Sequence, residues 1–210
     1  LGDEKINVGK VMIDGKENAV INKLVPGIVD GLFKPNIYGL VPCNNRNPKL
    51  DNYNCNEKDP GKKDFRKSYV KGEDVLDANI TDNGDGTITM VIQPKAAEMS
   101  MRGEDSQGDF FEVLGDISAT VAQIDVISFA QGTAEDNIKV TYKGGTVTCT
   151  INTKTKEITK AEYDMVAEVA VNHANVAVIK DKSASLLIKY KNTFPASDEA
   201  TMKARQFKRK

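Results

Sequence analysis

Between Ala161 and Val171 the chain repeats with a period of two, and this run constrains the fold more than any other. Ala161, Tyr163, Met165, Ala167, Val169 and Val171 alternate with Lys160, Glu162, Asp164, Glu168 and Asn172, broken only by Val166 and Ala170. Such a period sends successive side chains to opposite faces, so the segment predicts a strand with one buried face. A single strand cannot bury that face, and further strands must flank it. Leu186, Ile188 and Tyr190 predict the next one, with the turn between them at either "NHAN" (172–175) or "IKDKS" (179–183). Upstream, "NIKVTYKGGTVTCTI" places Ile138, Val140 and Tyr142 before Gly144-Gly145, and Val147, Cys149 and Ile151 after it. We read this as a hairpin turning at the two glycines, with Thr146, Thr148 and Thr150 on the opposite face. Short connections between these strands predict antiparallel pairing in a meander.

Two segments carry helical spacing. In "DGKENAVINKLVPGIVDGLF" (14–33), Ile21, Leu24, Val25, Ile28 and Leu32 fall on one face, and Asp14 with Glu17 has the spacing of a capping box. Pro26 removes a backbone donor, which predicts a kink or two short helices. The second helix is expected from Asp109, with Glu112 three residues on and with Phe110, Leu114, Ile117 and Val121 on one face; Gly115 weakens it. The expected architecture is α+β: a curled antiparallel meander with two helices packed on one face, in a single domain spanning 1–210. Residues 1–13 are expected as a linker or edge strand. Residues 196–210 read as a basic C-terminal helix or tail, in which Ser197 can cap while Asp198 and Glu199 suit the positive helix start.

The stretch "NITDNGDGTITM" (79–90) most resembles a metal site. An EF-hand loop needs oxygen ligands at positions 1, 3 and 5, Gly at 6 and Glu at 12. With Gly86 at position 6, Thr81 falls at 1 and Ile92 at 12; with Gly84 there, Met90 falls at 12. Both registers lack the closing carboxylate. Val75, Ala78 and Ile80 precede the stretch, Ile88, Met90 and Ile92 follow it, and Asn-Gly and Asp-Gly suit tight turns. A hairpin tip is therefore expected, with no metal site assigned.

The balance of 29 Lys and Arg against 30 Asp and Glu gives a net charge of -1 and no electrostatic case for nucleic acid. No apolar run of about 18 residues occurs, so no transmembrane segment is expected. Cys43 and Cys55 bracket an Asn- and Pro-rich segment with few apolar residues, where a disulfide would supply order. Two free thiols in a cytosolic loop are the alternative. Cys149 alternates with Val147 and Ile151 and reads as a core residue outside that cross-link. A chain opening at Leu1 fits removal of a signal peptide or lipid anchor upstream, or the choice of boundaries. Together these features lead us to expect an extracytoplasmic location, secreted or anchored at the cell surface.

Catalytic signals are sparse. "GEDSQG" (103–108) carries Ser106 in an Asp-Ser context, but a nucleophilic serine needs a base and His173 is the only histidine. No acid–base pair of carboxylates stands out. No cofactor is expected. The absence of Trp and an aromatic content of 6% speak against a ring-stacking sugar platform.

At "DNGDGTITM" and "TVTCTINTKTKEITKAEYDM" the chain resembles a group of exported proteins and lipoproteins from anaerobic Gram-positive bacteria. In that group an Asp-Gly-Thr hairpin precedes a strand, turn and strand patterned as Ile151, Thr153, Thr155, Ile158 and Thr159 are here. The resemblance covers roughly the second two-thirds of the chain and implies export, with no activity attached. The leading functional expectation is a non-catalytic binding module for a protein or surface polymer. The alternatives are a carrier holding an apolar ligand against Ile21, Leu24, Val25, Ile28 and Leu32, and a hydrolase using carboxylates.

Overall fold

The computed structural model describes residues 3–23, 25, 70–101, 104–111, 113, 117–122, 127–176 and 178–195. Its framework is antiparallel: three long strands, β8 (Ile138–Asn152), β9 (Ile158–Val176) and β10 (Ile179–Phe194), pair in sequence order. The hairpin of β4 (Val75–Asp82) and β5 (Thr87–Pro94) extends this sheet, with β5 pairing β8. Along the outer side of β10 run β1 (Asp3–Val8) and β2 (Met12–Ile13), and β3 (Lys16–Glu17) pairs β2. Short strands β6 (Ala97–Glu98) and β7 (Ile127–Phe129) pair β8 and β9. Among the described residues the sheet is open, with β3 and β4 at its two ends.

The alternation in β9 works as predicted. Ala161, Tyr163, Met165, Ala167 and Val169 are buried, joined by Val140, Tyr142, Val147, Cys149, Ile188, Tyr190 and Phe194 from the neighbouring strands. Phe110, Phe111, Val113 and Ile117 complete this core from the 100–137 region. The Tyr163 ring anchors it, meeting Phe111 edge-on at 6.1 Å and Phe194 at 5.9 Å. The opposite face is polar: Lys191 reaches Glu162 at 2.6 Å and Lys143 pairs with Glu168.

Four sequence expectations are corrected. First, Gly144-Gly145 is no turn, because β8 passes straight through it. The register shifts from Tyr142↔Ala167 to Gly145↔Met165, an extra residue on the β8 side. Apolar residues sit at even positions before the glycines and at odd positions after them, and a bulge keeps both sets on one face by absorbing that extra residue. A hairpin also reconciles the pattern, so the sequence did not separate the two.

Second, the 14–33 segment does not begin as a helix. Asp14 and Gly15 have φ of 47° and 76° and form the turn between β2 and β3. Glu17 therefore lies on a strand rather than in a capping box. Helical structure starts at Ile21, where Asn18 Oδ1 accepts the amides of Val20 and Ile21, both at 3.1 Å. Third, the helix expected from Asp109 is divided into α1 (Ser106–Phe110) and α2 (Ile117–Ala122). The cap is Asp105, whose carboxylate accepts the Gly108 amide at 3.0 Å, and Phe111 is extended. A third described helix, α3 (Ala134–Asn137), opens on a Thr133–Asp136 capping box. The described residues hold only short helical turns and do not confirm two helices on one sheet face; Leu24 and residues 26–33 of the first lie outside them.

Fourth, neither proposed turn between β9 and β10 is the turn. The strands extend to Val176 and Ile179, which pair with each other. His173 in "NHAN" and Asp181 in "IKDKS" have φ of 51° and 50°, and the pairing is irregular on either side of Lys182. Both motifs mark positions where the ladder is broken within long strands. His173 Nδ1 lies 2.8 Å from Asp181 Oδ1, linking the two across the hairpin.

Candidate interaction surface

The β4–β5 tip is the hairpin expected. Gly84 and Gly86 have φ of 74° and 85°, and the Asn83 amide donates to the Thr87 carbonyl at 3.1 Å. The acidic and amide side chains that resembled calcium ligands hold the turn. Asp82 Oδ1 accepts the Gly84 amide at 2.9 Å. Asp85 Oδ1 accepts the Thr87 hydroxyl at 2.6 Å and its amide at 2.9 Å. Those two donors, the hydroxyl first, hold the Asp85 carboxyl below its ordinary pKa. Asn83 bridges Thr87 and Thr89 through its carboxamide, at 2.9 and 3.1 Å.

Beyond the tip, β4 forms an open edge among the described residues. Asn83 and Thr87 are a hydrogen-bonded pair, so by antiparallel alternation Thr81 and Asn79 also bond to β5. Ala78, Ile80 and Asp82 then direct their backbone groups away from β5, where no described strand lies. The Ala78 amide is occupied by Asp77 Oδ1 at 2.9 Å. Every β4 residue after Val75 is exposed, including Leu76 at 67% and Ile80 at 62%. Ile80 stands opposite Met90 and next to the row of Ile92, which is only 4% exposed.

Edges are commonly blunted with Lys, Pro or bulges. Here a register shift between Val75 and Asp77 is the only irregularity, and residues 75–94 contain no Lys or Arg. Asp77, Asp82 and Asp85 are the charged groups of that hairpin, making it acidic and partly apolar. The sequence predicted this hairpin but not that its first strand would stand at the sheet's edge. Leu76, Ala78 and Ile80 alternate with Asp77, Asn79 and Thr81 as in any half-buried strand, and only Asp82 on the apolar face hints at an edge.

The other candidates are dispersed. Ser106 is buried, its hydroxyl donating to the Asp74 carbonyl at 2.5 Å and accepting the Lys95 amide at 2.9 Å. His173 is turned to Asp181 at the far hairpin. The structure therefore ties Ser106 and His173 to different partners and does not unite them as nucleophile and base. Ile21 is buried and Val25 packs against the main core. Leu24, Ile28, Leu32, Cys43 and Cys55 lie outside the described residues. Cys149 is fully buried, and burial pushes its thiol up to about 12. Among the described residues no helix is long and apolar enough to cross a membrane, and no group of His, Cys, Asp and Glu is arranged to hold a metal ion.

No protein-family model, curated protein or solved structure matches the chain.

Proposed function

We propose that this chain is a non-catalytic, exported or cell-envelope protein that binds a partner through its sheet, with the β4–β5 hairpin as the recognition element. The supporting observation is the outer edge of β4, which no described strand covers, with Leu76 and Ile80 exposed beside Asp77 and Asp82. Such an edge offers backbone donors and acceptors with adjacent apolar contacts, the combination used in strand addition. The polar groups that could suggest a reaction centre have structural duties: Ser106 joins Asp74 to Lys95, and Asp85 holds Thr87.

Photo-crosslinking tests this reading. A photoreactive residue at position 80 of the full chain, in the cells that make it, should give one discrete adduct. The same group at Lys139, on the polar face, should give none. Equal labelling from both positions, or none from position 80, contradicts it. Export is tested by intact mass before and after reduction: a Cys43–Cys55 disulfide adds two protons on reduction, and an unchanged mass argues against an oxidising compartment.

A second reading, an apolar-ligand carrier, draws on two buried acceptors. Gln107 Oε1 and Asn192 Oδ1 have no hydrogen-bond partner among the described residues, although Asn192 Nδ2 donates to the Tyr190 hydroxyl at 3.0 Å. A polar ligand head or water would satisfy such groups. Native mass spectrometry of freshly purified protein should then show a bound small molecule, and its absence would favour the interaction module.

A further inference from the structure

We propose that the outer edge of β4 receives an extended cationic strand, paired antiparallel and patterned as basic-x-apolar-x-x-basic. This deepens the binding-module reading and rests on it. Among the described residues no strand pairs the backbone groups of Ile80 and Asp82 or the carbonyl of Ala78, and these offer a ladder to an incoming strand. A strand running antiparallel meets Asp82 first, then Ile80, then Asp77. Its residue opposite Ile80 shares that side chain's face, which explains the apolar position. The residue two places earlier faces Asp82 and the residue three places later faces Asp77, so both are Lys or Arg.

Charge chooses among the occupants. Residues 75–94 contain Asp77, Asp82 and Asp85 and no cation, so the hairpin has nothing of its own to neutralise them. A second copy pairing edge to edge would bring the same carboxylates against each other without a counter-charge. A cationic segment meets both the acidic side chains and the exposed Ile80. Asp77 and Asp82 serve as selectors, because they repel acidic strands that the backbone alone would accept.

The test uses the isotope-labelled full chain and two capped peptides, Lys-Thr-Val-Thr-Thr-Lys and Glu-Thr-Val-Thr-Thr-Glu. The lysine peptide should shift amide resonances confined to residues 76–83, with a Kd below about 1 mM that weakens as salt is raised. The glutamate peptide should bind at least about tenfold more weakly. In the Asp77→Lys/Asp82→Lys variant that preference should reverse, and unchanged dispersion elsewhere will show that the variant is folded. Shifts outside 76–83, equal binding of both peptides, or no binding at about 1 mM would overturn the cationic-strand proposal. So would Ile80 amide protection that grows with protein concentration alone, which would make a second copy the occupant. A specific crosslink from position 80 together with failure of the lysine peptide would leave the binding module standing and remove only this partner class.

Discussion

A β-carbon added to Gly145 would stand 2.2 Å from the carbonyl oxygen of Asp164 on the neighbouring strand. That approach fixes the bulge in β8, with the Phe111 ring 3.0 Å away on the same glycine. Gly144 has no such contact; its nearest neighbour is the Pro94 carbonyl at 3.4 Å. Both have positive φ, 131° and 90°, so alanine strains either one. Gly145→Ala should cost roughly 3 kcal/mol or more, and Gly144→Ala about 1–2 kcal/mol. Urea unfolding of the two variants decides it. Equal costs would mean that the pair forms an ordinary turn rather than a bulge held against β9.

Acid should weaken the fold through carboxylates tied up in turns. Thr87 depresses the pKa of Asp85, Lys182 that of Asp14, and the Thr133 amide and hydroxyl that of Asp136. Each then binds fewer protons folded than unfolded near pH 4. Their stabilisation is complete above the unfolded value of about 3.9 and is lost as pH falls through the folded values. Asp164 has the opposite sign, since burial raises its pKa despite Lys191, so its contribution declines as pH climbs from about 4. Thr87→Val should raise the Asp85 pKa towards the ordinary value in an NMR titration. An unchanged Asp85 titration would show that the hydroxyl is not its partner.

Cys149 should be inert in the native state. With its thiol at about 12, almost no thiolate exists at pH 8. Alkylation with iodoacetamide followed by peptide mapping should label Cys149 only in denaturant. Native labelling at the rate of an exposed thiol would contradict its placement in the core.

Two isoleucines on the same hairpin should behave differently. Ile92 is 4% exposed, and Ile92→Ala should cost about 2–4 kcal/mol. Ile80 is 62% exposed, and Ile80→Thr should leave stability within about 0.5 kcal/mol. A large loss at Ile80 would reveal that something already covers it.

The sheet was legible because burial on one face leaves a period of two: the β9 alternation and the Ile188–Tyr190 strand stand where the pattern put them. The Asn-Gly-Asp-Gly tip was legible because its backbone requires positive φ at Gly84 and Gly86. Helix starts were not, since Asp14-Gly15 suits a turn as well as a cap, and only pairing of β2 with β10 decides between them. The Gly144-Gly145 bulge was hidden for the same reason, because the competing hairpin differs only in long-range pairing. The open edge depends on which strands lack a neighbour, and local sequence carries that only faintly.

Amide hydrogen exchange on the monomeric full chain tests the edge most directly. Thr81 and Asn79 bond inward to β5, whereas the amides of Ile80 and Asp82 point outward. Ile80 and Asp82 should exchange near unstructured rates, with Thr81 and Asn79 slower by at least about 100-fold. If Ile80 and Asp82 are as protected as Thr81 in dilute monomer, the edge is already paired and β4 is not a docking strand.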